Sequence, residues 1–142
     1  MNILKREALM RANHDGRAAL FVKRAHRNDK LCPGDVVMVE SSNNLTNPDH
    51  VTNFLGICIA IHRRGIDTSF ILRNIVLKTG VEIKFKVFSP LVKTIKILRK
   101  GTKYRKSKLY FLRERKGSII KSKSAKKLSE AFQLSQLAEN NI

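Results

Sequence analysis

The chain has 142 residues, enough for one domain with a modest core. Hydrophobic residues make up 42% of it, which argues against wholesale disorder, and no apolar run approaches the roughly 18 residues of a membrane span. The net charge of +18 at pH 7 requires an anionic partner, so the candidates are nucleic acid, an anionic membrane surface and an acidic protein.

Residues 1–30 are predicted to form a basic N-terminal helical arm. Apolar residues recur at helical spacing in two stretches, and His14-Asp15-Gly16 separates them because Asp-Gly favours a turn. The arm carries Glu7 and Asp15, so it fits an Arg-rich mitochondrial presequence only in part. We therefore expect a helical arm with some targeting character.

The middle of the chain, residues 31–117, is predicted to be a β domain. Short β-branched and apolar runs are separated by turn signals such as Pro33-Gly34-Asp35 and Lys78-Thr79-Gly80. The predicted strands are 36–40, 54–62, 69–77, 81–88, 92–98 and 108–112. No helical segment lies between them, which excludes a parallel βαβ sheet and favours a small antiparallel barrel or sandwich. Gly56 predicts a bulge or a close backbone approach.

Residues 118–142 are predicted to be a basic linker followed by a C-terminal helix. From Ser124 to Ala138 apolar residues form a wide stripe at helical spacing. A single helix of this length is marginal in water, so we expect it to pack on the β domain or on a neighbouring molecule.

Residues suited to catalysis or metal binding are scattered. The four histidines and two cysteines form no pair at zinc-ligand spacing, and the acidic residues lie on separate elements. Cys32 and Cys58 are expected to be reduced thiols, with Cys58 in the core. We expect no cofactor, no metal and no enzymatic activity.

The excess positive charge is concentrated in one segment. Residues 93–127 carry 15 basic residues and one acidic residue, whereas residues 31–92 carry 6 basic and 5 acidic. Residues 99–108 are basic enough to contact several phosphates at once, and the interleaved Tyr104 and Tyr110 could stack on an unpaired base. The embedded apolar run argues against a disordered basic tail. Binding to a membrane surface is disfavoured because the C-terminal helix lacks a basic face.

Six motifs carry a resemblance to a known family. They are P-G-D-V-V at 33–37, G-I-C-I-A-I at 56–61, R-R-G-I-D-T-S-F-I-L-R at 63–73, G-V-E at 80–82, F-S-P at 88–90 and K-L-Y-F-L-R-E-R-K-G at 108–117. In this order and spacing the chain resembles the bacterial-type large-subunit ribosomal protein nineteen family. The motifs span about 85 residues, and the last is the most specific.

The resemblance implies a mainly β fold, an SH3-like antiparallel barrel at residues 31–117. It also implies a structural role in the ribosome, with large-subunit ribosomal RNA and neighbouring ribosomal proteins as partners and a possible bridge to the small subunit. The residues that carry over as RNA contacts are Arg63, Arg64, Arg73, Arg99, Lys100, Arg105, Lys106, Lys108, Arg113, Arg115 and Lys116. The basic segment itself adds Lys103 and Tyr104.

Departures from the family pattern point to an organellar version. A Ser/Asn loop replaces part of the charged strand that the family has after its first turn, and the chain is rich in Asn, Lys and Ile. The pattern is similar to that of fungal mitochondrial relatives, so we expect a mitochondrial ribosome, with the bacterial cytoplasm or a plastid as alternatives. A free-standing RNA-binding chaperone or regulator on the same small barrel is the alternative function.

Overall fold

The fold was analysed in a computed structural model that describes residues 2–101 and 104–114 together with Leu134 and Leu137. Helix α1 spans Ile3–Ala12, and 3-10 turns follow at Arg17–Phe21, Gly65–Asp67 and Tyr110–Glu114. The strands are β1 Val36–Ser42, β2 Val51–His62, β3 Ser69–Val76, β4 Thr79–Lys86 and β5 Val92–Arg99. The predicted C-terminal helix lies outside the described residues except for Leu134 and Leu137, which are helical.

The five strands form one antiparallel sheet in the order β4-β3-β2-β1-β5. Strands β1 to β4 follow one another as a meander, and β5 returns to pair with β1. Within the described part of the chain β4 and β5 remain the two edges, so the sheet is open. The prediction of an antiparallel β domain is confirmed, but a fully closed barrel is not what forms.

Each face of the sheet carries a hydrophobic core, which explains why the strands look more apolar than a sheet with one solvated face requires. The first core, on one face, contains Phe70 and Phe85 with their ring centroids 5.6 Å apart. The second core, on the opposite face, contains Val36, Ile57 and Ile59. Neighbouring residues in a strand point to opposite faces, so one strand serves both cores.

Gly56 in β2 allows a close backbone approach, one of the two roles predicted for it. A Cβ atom there would lie 3.0 Å from the carbonyl oxygen of Arg73 and 3.1 Å from Cβ of Leu72. The irregular pairing in β2 falls two residues later, between Cys58 and Ala60. Both cysteines are free thiols, and Cys58 is fully buried, as predicted.

The predicted strand at 108–112 is wrong. Tyr110–Glu114 is a 3-10 turn, and the segment pairs with the sheet through one backbone bond, from Leu109 to Ile59. Leu109 and Leu112 are both fully buried, whereas Tyr110 between them is exposed. Side chains three residues apart lie on the same side of a 3-10 turn, so Leu109 and Leu112 can both face the sheet. In a strand, alternation would have placed them on opposite faces.

The N-terminal arm divides at the predicted place. Gly16 has φ +75°, the left-handed conformation that separates α1 from the turn Arg17–Phe21. Helix α1 buries none of its residues, and Ile3 and Leu4 are exposed. The following turn instead places Phe21 in the first core and the buried Arg17 guanidinium against the carbonyl oxygens of Val87 and Val92, at 2.8 and 2.9 Å.

Candidate nucleic-acid interface

The basic segment 104–114 lies across the second face of the sheet. Leu109 and Leu112 pack into the second core, and the Leu109 amide donates a 2.8 Å hydrogen bond to the carbonyl oxygen of Ile59. Burying two leucine side chains contributes about 1.5–3 kcal/mol each. The charged residues of the segment are therefore carried on a folded element.

The buried carboxylate of Asp35 fixes the chain just before the N-terminal end of this segment. Asp35 is fully buried and accepts hydrogen bonds from the amides of Cys32 and Gly101, at 2.9 and 2.8 Å, and from Nζ of Lys100, at 3.1 Å. A buried charge needs such compensation, because desolvation otherwise penalises it by several kcal/mol. Asp35 thereby joins the turn before β1 to the chain that follows β5.

The aromatic ring of Tyr104 covers the same corner. Gly34 has φ +98°, and a Cβ atom on it would lie 2.6 Å from Cδ2 of Tyr104. The ring packs against Phe111, with 6.2 Å between the centroids. Tyr104 is half-buried, so its ring contributes to the second core.

The far end of the segment is fixed by Glu82 on β4. Its carboxylate accepts hydrogen bonds from Nε and a terminal nitrogen of Arg113, at 2.6 and 2.9 Å, and from Arg73, at 2.9 Å. The hydrogen bond from Arg113 is the largest influence on the pKa of Glu82 and lowers it. Partial burial raises the pKa by less, so the pKa of Glu82 stays below its usual value. Arg113 also lies over the ring of Tyr110, at 4.7 Å.

Several of the candidate RNA contacts have roles within the fold. Lys108 donates to the carbonyl oxygen of Ile61 at 2.6 Å, and Arg63 donates from Nε to the carbonyl oxygen of Phe21 at 2.9 Å. Arg73 has only 14% of its side chain exposed. With Lys100, Arg113 and Tyr104, these residues position the segment and its neighbours.

Other candidates face solvent. Arg64, Arg99 and Arg105 are exposed, and no side-chain hydrogen bond or ion pair of theirs occurs within the described residues. Lys106 is exposed as well and lies over the ring of Phe111, with Nζ 5.7 Å from the centroid. The candidates Lys103, Arg115 and Lys116 lie outside the described residues.

Three further positively charged or titratable residues lie on the same face and were not among the residues predicted as RNA contacts. They are His62 at the end of β2 and Lys84 and Lys86 on β4. Burial, followed by the positive charges of Lys108, Lys84 and Arg64, lowers the pKa of His62 below its usual value. The alternation of β4 marks Lys84 and Lys86 as a pair, but only the strand register brings them to His62.

In the described part of the chain no three His, Cys, Asp or Glu side chains are grouped so that they could hold a metal ion. Within the same residues, no helix has the length and apolar character to cross a membrane. What the face offers is a display of guanidinium and ammonium groups, which bind phosphate through charge-assisted hydrogen bonds.

Comparison with protein-family models identifies one whose sequence pattern this chain shares. The model for ribosomal protein L19 matches residues 18–126, which include all five strands and segment 104–114. The match covers most of the chain, and the family is structural and not enzymatic. The chain belongs to the ribosomal protein L19 family and is a structural protein of the large ribosomal subunit, with ribosomal RNA and other ribosomal proteins as its partners.

Proposed function

We propose that this protein binds large-subunit ribosomal RNA with the face of the sheet that carries segment 104–114, and that Arg105 and Lys106 are central phosphate contacts. The observation that carries the proposal is the burial of Leu109 and Leu112, which turns a basic stretch into a fixed surface. Arg105 and Lys106 protrude from it, so binding them to phosphate costs little ordering of the backbone.

The remaining candidates divide into two groups in this proposal. Arg64 and Arg99 contact phosphate directly, as do the candidates outside the described residues, Lys103, Arg115 and Lys116. Arg63, Arg73, Lys100, Lys108 and Arg113 hold the surface in shape and contact RNA with their remaining donors. Tyr104 contributes its half-buried ring to the second core, and its remaining exposed part is available to a base.

The test is removal of two charges from this surface. Changing Arg105 and Lys106 together to Gln keeps polar side chains at both positions. Because neither residue is buried, we expect the variant to fold normally and to bind purified large-subunit ribosomal RNA with a shallower salt dependence. The slope of log affinity against log salt should fall by about 0.7–0.9 for each phosphate that the variant no longer neutralises.

A matched control is Lys23→Gln with Arg24→Gln, which removes two charges from exposed positions on the N-terminal arm. If the two double variants had the same salt slope, the segment would contribute only bulk charge, and the proposed contacts would be wrong.

We place the protein near the subunit interface of a mitochondrial ribosome, where it helps form a bridge to the small subunit. The support is the family resemblance, together with the Ser/Asn loop at 41–53 and the Asn, Lys and Ile content of the chain. Fractionation of the source cells tests the compartment: co-purification with mitochondrial ribosomes is expected, and co-purification with cytosolic ribosomes would exclude it. The free-standing chaperone is not supported, because the family is one of ribosomal proteins.

We also propose that the sheet is a curled, incompletely closed SH3-like barrel. Phe85 on edge strand β4 and Val92 at the start of edge strand β5 belong to the same hydrophobic core. A core shared by residues of both edge strands supports such curling of the sheet.

A further inference from the structure

A cavity lies beside the basic segment, on the same face of the sheet. Its volume is about 360 Å³, and it is lined by His62, Arg64, Asp67, Ser69, Lys84 and Lys86. We call it the edge pocket. A volume of this size lies at the lower end of the range of small-ligand sites.

Strand register assembles the edge pocket from three neighbouring strands. His62 of β2 pairs with Ser69 of β3, and Ser69 pairs with Lys86 of β4. Lys84 is two residues before Lys86 and therefore points to the same face. Phe85, between them, is buried in the first core, which fixes the two lysines on the outer side.

The charges in the edge pocket do not balance. Arg64, Lys84 and Lys86 are cationic, whereas Asp67 is the one carboxylate in the lining. Nζ of Lys86 is 3.9 Å from Oδ1 of Asp67, and both side chains are more than half exposed, so this pair is weak. The pocket keeps an excess of about two positive charges by this count.

Neutral donors complete the lining. Ser69 brings a hydroxyl group, and His62 brings a ring that can donate one hydrogen bond in its neutral form. The lowered pKa of His62 reflects burial first and then the nearby charges of Lys108, Lys84 and Arg64. Two ammonium groups, a guanidinium and neutral donors around a concave space suit a tetrahedral oxyanion.

We infer that the edge pocket binds a phosphodiester group of the RNA backbone, as a second anchoring point beside Arg105 and Lys106. This inference rests on the proposed function. The pocket adjoins the basic segment, since Lys108, two residues after Lys106, donates to the carbonyl oxygen of Ile61, next to His62. One RNA strand that crosses the segment can therefore reach the pocket.

The experiment uses the full chain and purified large-subunit ribosomal RNA, with affinity measured by filter binding over a series of KCl concentrations. The pocket variant is Lys84→Gln with Lys86→Gln, and the control is again Lys23→Gln with Arg24→Gln. Both remove two exposed charges. We expect the pocket variant to have a salt slope shallower than that of the control by about one unit, the effect of removing one phosphate contact.

Two comparisons make the outcome specific. Arg64→Gln, which leaves β4 untouched, should weaken binding in the same direction. Inorganic phosphate at constant ionic strength should lower the affinity of the wild-type protein for RNA towards that of the pocket variant and leave the variant unaffected, because it competes with the phosphodiester for the same donors. If phosphate bound to the pocket without changing the affinity of the wild-type protein for RNA, the pocket would be a site for free phosphate, and the RNA assignment would be overturned.

Failure of the inference is distinguishable from failure of the proposed function. If the pocket variant matches the control while Arg105→Gln with Lys106→Gln does not, the pocket does not bind RNA and the proposed surface stands. If none of these variants differs from the control, the proposed surface itself is wrong.

Discussion

The amide of Leu109 donates a 2.8 Å hydrogen bond to the carbonyl oxygen of Ile59 in β2. This bond and the burial of the Leu109 side chain attach the basic segment to the sheet. A segment with so many positive charges repels itself, so an apolar anchor is required to hold it in one place.

Leu109→Ala should therefore loosen the whole segment. We expect a loss of about 2–5 kcal/mol in the free energy of unfolding, because the substitution leaves a cavity in the second core. Urea denaturation followed by circular dichroism measures it. Leu45→Ala, at a position 65% exposed, is the control and should change stability by less than about 0.5 kcal/mol. Equal effects of the two substitutions would show that Leu109 is not an anchor.

Asp35→Ala should be one of the most damaging single substitutions. It removes the shared acceptor of two backbone amides and leaves the Lys100 ammonium, 25% exposed, without its carboxylate. Breaking a buried pair on one side costs about 3–5 kcal/mol, and the same denaturation measurement applies.

The control for this substitution is Asp29→Ala, at an exposed position. It should be nearly neutral in the same measurement. A loss below about 1 kcal/mol for Asp35→Ala would mean that water replaces the carboxylate, contrary to its complete burial.

The Glu82 network predicts a pH dependence. The folded-state pKa of Glu82 lies below its ordinary value of 4.5, so its contribution to stability is present above that pH and is lost as pH falls through the folded-state pKa. Glu82→Gln should therefore be less stable than the wild type at pH 7 by about 1 kcal/mol, because the bonds to the exposed Arg113 are screened by water and only the bond to Arg73 is part-buried. The difference in stability between the two proteins should narrow as pH falls below about 4.5.

Thermal unfolding at several pH values tests this expectation. Asp49→Asn removes an exposed carboxylate in the loop between β1 and β2 and should shift stability at pH 7 by less than about 0.5 kcal/mol. A gap for Glu82→Gln that stayed constant down to pH 3 would exclude the network as its cause.

The sheet could be predicted from local patterns, and the segment that covers it could not. The strands β1 to β5 coincide with the predicted runs to within a few residues, because alternation in Val81 to Phe88 and turn residues such as Gly34 report local geometry directly. Leu109 to Leu112 is β-rich in composition. Its conformation is decided by packing on Ile59, which is distant in sequence.

The proposed binding surface could likewise be predicted only in part. The density of charge near Arg105 and Lys106 is visible in the sequence, as is the family resemblance. That Lys100 neutralises Asp35 depends on contacts between residues 65 positions apart, and the grouping of His62 with Lys86 depends on strand register. A set of basic residues chosen from the sequence therefore mixes those that face solvent, which we propose as RNA contacts, with those that hold the fold.

The most direct test of the central claim is sedimentation of the protein at native expression through a sucrose gradient. A structural large-subunit protein bound through phosphate contacts should migrate with the large subunit in low salt and leave it only in high salt. Protein found free at the top of the gradient in low salt would contradict a structural role in the large subunit.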